Sequence, residues 1–280
     1  MTVPYRYSTP TAFRRALETR LKSIAAREQT DLQRLRRQVA FDRFLHRLFL
    51  KGGHAMELRI ARARTTKDID LTFIGDAARK NSAGGADPLL EHLQQAAAAD
   101  LGDGFVFLVG KAMMDLEGAP YGGSRYPVDA RMDGRTFVKF HLDAAVGDTV
   151  LEPIDTLAPR DWLGFAGVSV APFPVLPAEQ QFAEKYHAYT FVRGDRPNSR
   201  VRDLVDLVLL LRKANLKADR LRIALHATFT RRGSHPIPDT MPDPPAFWSA
   251  PFTAMAATCG LEESIDDAVR EVKAFLAPAW

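Results

Sequence analysis

The sequence predicts an α/β (α+β) protein built as two lobes, and three observations carry that expectation. With 280 residues, 46% of them hydrophobic, the chain can bury a substantial core, and its length suits two modest domains as well as one large one. The first half mixes helical spacing of apolar residues with strict apolar/polar alternation, so helices and strands share one unit. Near Leu151 the texture changes: Pro153, Pro159, Pro172, Pro174 and Pro177 punctuate a connecting stretch, and helical patterns dominate afterwards. The expected division is 1–150, a lobe of helices and a mixed sheet opened by N-terminal helices, and 151–280, a mainly helical lobe.

Taken in order, Ser8-Thr9-Pro10 reads as a helix entry, a capping hydroxyl before a proline whose missing N–H costs nothing in the first turn. Phe13, Leu17, Leu21 and Ile24 continue at helical spacing, and Leu32, Leu35, Val39 and Leu45 repeat the pattern in a second helix. Leu48-Phe49-Leu50 ends that helix or forms a brief strand. After Gly52-Gly53, the residues Ala55, Met56, Leu58 and Ile60 give a short helical face. Ile69, Leu71 and Phe73 then alternate with Asp68, Asp70 and Thr72, which is strand periodicity. A loop by composition, NSAGGADP, precedes the helical PLLEHLQQAAAA and the buried strand GFVFLVG. Two further strands, around Arg125 to Met132 and Arg135 to Ala145, are joined at Asp133-Gly134, a dipeptide that hairpin turns favour. The second of these puts Phe137, Lys139, His141 and Asp143 on one face. Later helices are expected in AEQQFAEKYHAYTF, SRVRDLVDLVLLLRKA, ADRLRIALHATFT and around Ile265 to Leu276, while SHPIPDTMPDPPAFW is too rich in proline for regular structure.

The charge balance, 38 basic against 34 acidic residues with a pI near 9.2, favours polyanionic partners without requiring them. Two basic clusters, Arg34 to Arg47 and Thr230 to His235, are either phosphate tracks or solvated faces. The single Cys259 excludes an intramolecular disulfide framework and a cysteine-rich zinc site. No run is long enough to span a bilayer as a helix, and a cytoplasmic protein is expected.

The chemistry concentrates in KGGHAMELRIARARTTKDIDL. Carboxylates at i and i+2 of a strand point the same way, so Asp68 and Asp70 are placed to share a hard cation, Mg²⁺ or Mn²⁺, that relieves their mutual repulsion. Alone, such a pair is as readily two solvent-facing aspartates at a strand end. Gly52-Gly53 before a helix is either a plain turn or a phosphate cradle made of free backbone N–H groups. Cradle and acid pair together describe nucleoside triphosphate chemistry. Asp143, on a neighbouring strand, is a tentative third metal ligand; otherwise it holds a local turn.

That same stretch resembles the nucleotidyltransferase signature of the AbiEii and MenT-like toxins, a branch of the polymerase-β-type nucleotidyltransferases. In it, Gly-Gly is followed by an Arg-x-Thr/Ser-x-Asp-x-Asp strand, matched here by Arg64, Thr66, Asp68 and Asp70. The resemblance runs to about residue 212 and implies a polymerase-β-like lobe whose active site is completed by a helical lobe. It implies that Lys185 contacts the triphosphate, and that a helix aspartate, Asp206 with Asp203 as the near alternative, fixes Lys185, the nucleotide or the acceptor. Gly52 and Gly53 would cradle phosphates, and Arg64 reaches a phosphate or is an exposed charge. Thr66 lines the nucleotide site and is a candidate for inactivating phosphorylation. The implied reaction transfers a nucleoside monophosphate from an NTP to RNA, the tRNA 3′ end foremost, stopping translation, with a cognate antitoxin as protein partner and no membrane. RNA phosphates would be tracked by Arg231 and Arg232 or by the basic second helix. A D-x-D glycosyltransferase and a non-catalytic RNA- or partner-binding module are the rival readings.

Overall fold

The computed structural model describes residues 4, 6–49, 54–55, 68–73, 87–116, 120–192 and 200–277. They pack as two compact units, one formed by the described residues up to 55 with 68–147 and 156–175, the other by 148–155 and 176–277.

The first unit begins with α1 (Pro10–Glu28), whose cap is the expected one: the Thr9 hydroxyl accepts the Ala12 N–H, and Pro10 opens the helix. Phe13, Leu17, Leu21 and Ile24 are all buried. Next comes α2 (Leu32–Phe49), followed by the two-residue strand β1 (His54–Ala55) and by β2 (Asp68–Phe73). The short helix expected from Ala55 therefore does not begin there: His54 and Ala55 pair antiparallel with Thr72 and Leu71. The rest of that expected helix lies outside the described residues. Then follow α3 (Pro88–Ala97), β3 (Val106–Val109), β4 (Met114–Asp115), β5 (Gly123–Met132) and β6 (Arg135–Val146).

These strands make one mixed sheet in the order β1-β2-β6-β5-β3, with β4 on the end of β5. β2 runs parallel to β6, and β5 runs antiparallel to it. The β5–β6 hairpin turns on Asp133 (φ 53°) and Gly134 (φ 69°), two consecutive left-handed residues, as a tight hairpin turn needs. At its far end Gly123 is obligatory, because a Cβ there would come within 2.4 Å of the Ala144 carbonyl oxygen on β6. A bulge between Ala130 and Arg131 inserts Phe137 as an extra residue on β6. Phe137 is consequently buried although alternation placed it on the polar face.

One face of the sheet, carrying Ile69, Leu71, Tyr126, Val128, Phe140 and Leu142, is buried. Phe41 and Phe44 of α2 pack edge-on against Phe140 at ring-centroid distances of 4.9 and 6.2 Å. Beside this core lies a fully buried ion network. Arg47 donates to both carboxylate oxygens of Asp103 at 2.7 and 2.8 Å, and Arg43 adds a third bond at 2.8 Å. Arg36 pairs with Glu18 at 2.6 Å. Three arginines of the basic second helix thus serve packing, which removes them from the expected phosphate track. The stretch 156–175 also belongs to this unit through buried Trp162, Leu163, Ala166 and Phe173, and its strand β8 (Phe173–Val175) pairs with β7 (Asp155–Leu157).

The second unit is helical: α4 (Ala178–Thr190), α5 (Val201–Lys213), α6 (Ala218–Arg232), α7 (Ser249–Thr258) and α8 (Ile265–Leu276). Its core joins Phe182, Tyr186, Leu204, Val208, Trp248 and Phe252 with apolar residues of α6 and α8, and includes the free Cys259. α7 has no counterpart in the sequence reading. Its run SAPFTAMAAT is apolar on every side, so no face stands out. No described helix is long and apolar enough to cross a membrane.

Candidate functional site

Alternation on β2 buries Ile69, Leu71 and Phe73 and leaves Asp68 and Asp70 on the opposite, accessible face. The parallel register sets Asp68 beside His141 and Asp70 beside Asp143 on β6. Three carboxylates thus share one patch of the sheet. The central position of β6 achieves this, since the apolar residues of both neighbours hold it in place and leave its other face to carry charge.

A guanidinium enters this patch. Arg125 of β5, whose register partner is Asp143, donates from Nε and an Nη to the two Asp143 oxygens at 2.7 and 2.6 Å. The same Nη lies 3.3 Å from Asp68 Oδ2. These acids, with Asp143 foremost, hold Arg125 well above the ordinary arginine pKa. His141 Nδ1 stands 3.0 Å from Asp68 Oδ1. Neither Arg125 nor His141 was singled out as a site residue from the sequence. The available signal was the placement of His141 on the same face as Asp143.

The donor set fits a hard divalent cation. Its ligands are carboxylate oxygens alone, and its negative charge already attracts a cation in the form of Arg125. Among the described residues no three His, Cys, Asp or Glu side chains are set to hold a metal together as they stand. Arg125 holds both Asp143 oxygens and approaches Asp68 Oδ2, while His141 faces Asp68 Oδ1, so a cation entering the patch would compete with both.

In the second unit α4 and α5 build a separate cluster. Lys185 Nζ lies 3.4 Å from Asp203 Oδ1 and 3.2 Å from Asp206 Oδ2. The two aspartates are one helical turn apart on α5, which puts both in reach of one ammonium. Asp203 is the more buried, with a side-chain exposure of 6% against 17% for Asp206. Among the described residues its Oδ2 has no hydrogen bond, and the Arg200 guanidinium stands 3.7 Å from it. Glu184, adjacent to Lys185, has its carboxyl pushed up to about 7 by burial and by the Asp148 carboxylate. Asp148 in turn pairs with Arg232 at 3.0 Å, so Arg232 of the second basic cluster is also engaged within the fold.

The residues singled out from the sequence therefore gather in two places: Asp68, Asp70 and Asp143 in the first unit, Lys185, Asp203 and Asp206 in the second. Gly52, Gly53, Arg64 and Thr66 lie outside the described residues.

The family model for the nucleotidyl transferase AbiEii toxin of type IV toxin–antitoxin systems matches residues 33–277. The chain belongs to this family, and the protein is a nucleotidyltransferase of toxin–antitoxin type. Among solved structures it is similar to MenT4, a nucleotidyltransferase toxin from Mycobacterium tuberculosis H37Rv. The two are 17% identical, the match covers 84% of this chain and 86% of that one, and the TM-score is 0.47. Comparison with curated proteins gives no match.

Proposed function

We propose that the protein transfers a nucleoside monophosphate from an NTP to an RNA acceptor, the tRNA 3′ end foremost, in a divalent-metal-dependent reaction that blocks translation until a cognate antitoxin intervenes. The observation that carries this reading is the shared face of Asp68 and Asp70 with Asp143 in register beside them. Asp68 and Asp70 would hold Mg²⁺ or Mn²⁺, and the ion supplies charge neutralisation of the triphosphate and orientation of the attacking oxygen. His141 holds the Asp68 carboxylate in orientation through its 3.0 Å contact. Lys185 provides a mobile point charge for the triphosphate, a task suited to a flexible ammonium, while Asp203 and Asp206 aim it. Gly52 and Gly53 would cradle phosphates, Arg64 would contact them, and Thr66 would line the nucleotide site. Asp143 would serve as a metal ligand once released by Arg125.

Membership in a nucleotidyltransferase family sets the glycosyltransferase and non-catalytic readings aside. The experiment is incubation of purified protein with each labelled NTP and total RNA, with Mg²⁺ and with EDTA. Label entering RNA only with Mg²⁺ is expected. Label entering protein alone, or RNA labelling that persists in EDTA, contradicts the acceptor or the metal respectively.

A further inference from the structure

An open groove of about 640 Å³ runs along α1, and its chemistry is cationic. Arg15, Arg20 and Arg27 line it from the helix, together with the hydroxyls of Thr19 and Ser23, and Arg160 and Phe165 close the other wall. Arg15, Thr19, Ser23 and Arg27 recur every fourth residue, so they stack on one helix face over about 18 Å at the helical rise of about 1.5 Å per residue. All four are exposed, as is Arg160.

The arginines are not equally committed. Arg160 donates to both Glu28 oxygens at 2.7 and 3.0 Å, and Arg27 reaches the same carboxylate at 2.9 Å. Among the described residues, neither Arg15 nor Arg20 has a carboxylate within salt-bridge distance. Arg20 instead sits over the Phe165 ring at 5.1 Å. The one acid in the lining, Asp161, is turned to the backbone, accepting the Gly164 N–H at 2.6 Å. The groove thus presents two guanidinium forks that no described carboxylate pairs, flanked by a half-buried aromatic ring.

We infer that this groove is a docking track for the phosphodiester backbone of RNA, with Arg15 and Arg20 as its principal contacts. The inference rests on the RNA acceptor proposed above and adds the surface that holds it. Guanidinium forks match phosphate oxygens in pairs, and Phe165, itself packed by Phe13 and Tyr7, holds the Arg20 guanidinium in place across its ring. An acidic peptide is the poorer fit, because the arginines are spread along about 18 Å of helix, the reach of successive backbone phosphates rather than of one carboxylate cluster. RNA interfaces, by contrast, are polar, positively charged and wet.

The test is fluorescence anisotropy of the full chain with a labelled bulk tRNA pool, titrated between about 50 and 200 mM salt. Removing two phosphate contacts in Arg15→Gln/Arg20→Gln should weaken binding on the order of tenfold and lower the slope of log affinity against log salt by about 1.4. Arg15→Lys/Arg20→Lys, which keeps the charge, should retain the slope. Unchanged affinity and slope in the glutamine variant overturns the inference. So does a variant that loses polyglutamate binding while keeping tRNA. Transfer activity is read separately: if the wild type never labels RNA yet the groove variant loses RNA binding, the proposed reaction fails and the groove stands. If RNA is labelled and the variant binds as the wild type does, the groove alone fails.

Discussion

Arg125 grips both carboxylate oxygens of Asp143 although the turn that joins their strands would not by itself make them neighbours. Counted back from Met132↔Arg135, a regular hairpin would oppose Arg125 to Leu142, on the buried face. The bulge at Ala130/Arg131 shifts the register by one residue and brings Arg125 onto the acidic face.

The first prediction follows from that contact. If Arg125 stands where a divalent ion must compete, Arg125→Gln should bind Mn²⁺ more tightly in the absence of nucleotide, by about tenfold for the loss of one charge-assisted pair. Calorimetric titration measures this directly. Unchanged or weaker binding would show that Arg125 and the cation do not share the carboxylates.

The same bulge marks the limit of what the sequence revealed. Alternation placed Asp68, Asp70 and Asp143 on strand faces because period two is local, and Thr9-Pro10 and Asp133-Gly134 signalled a helix start and a turn through their own backbone preferences. The pairing of β2 with β6, which sets Asp70 beside Asp143, joins residues far apart in the chain and leaves no local trace. Nor did local charge tell a phosphate track from an internal ion network. Arg43 and Arg47 look like part of a basic cluster, and only the packing of Asp103 against them shows that they are interior. In the second unit Lys185 was legible through a family pattern. Its engagement by both Asp203 and Asp206, where one acid was expected, is a property of the α4–α5 packing.

Those two aspartates should differ in kind. Asp203 is the more buried and, among the described residues, its Oδ2 accepts no hydrogen bond, whereas Asp206 is more accessible. Asp203→Ala should lower stability by about 1–3 kcal/mol through the unpaired groups left behind, and Asp206→Ala by less than about 1 kcal/mol. Both should reduce transfer by displacing Lys185. Urea unfolding beside a transfer assay separates the effects, and equal destabilisation by the two variants would count against the assignment.

The buried network of Arg43, Arg47 and Asp103 makes a sharper stability prediction. Asp103→Ala leaves the buried Arg47 without the carboxylate that pairs it and Arg43 with Asp42 alone, 3.6 Å away among the described residues, at a cost of about 3–5 kcal/mol. A shift of the urea midpoint corresponding to less than about 1 kcal/mol would mean that water reaches these arginines.

Asp42 should make stability depend on pH. Burial pushes its carboxyl from 3.8 up to about 7, only partly offset by Arg43, and Asp103 and Asp161 reinforce the rise. His46, 3.6 Å away, is itself pushed down by burial and so adds little positive charge near neutrality. Because the folded form holds the proton more tightly than the unfolded form, this contribution is full below about pH 4 and is lost as pH rises through about 7. Asp42→Asn should remove that slope, gaining stability over the wild type above pH of about 7. Parallel unfolding curves for the two proteins across this window would refute the claim.

The central claim is that the paired acids of the sheet and the lysine of α4 serve one reaction. A double-mutant cycle on nucleotide transfer to RNA tests it most directly, using Asp68→Asn, Lys185→Met and their combination under single-turnover conditions. Each single variant should lose about 10³-fold or more, and the double variant should lose little beyond the worse single, as groups acting together do. Full activity in either single variant, or losses that simply multiply, would contradict their acting in one reaction.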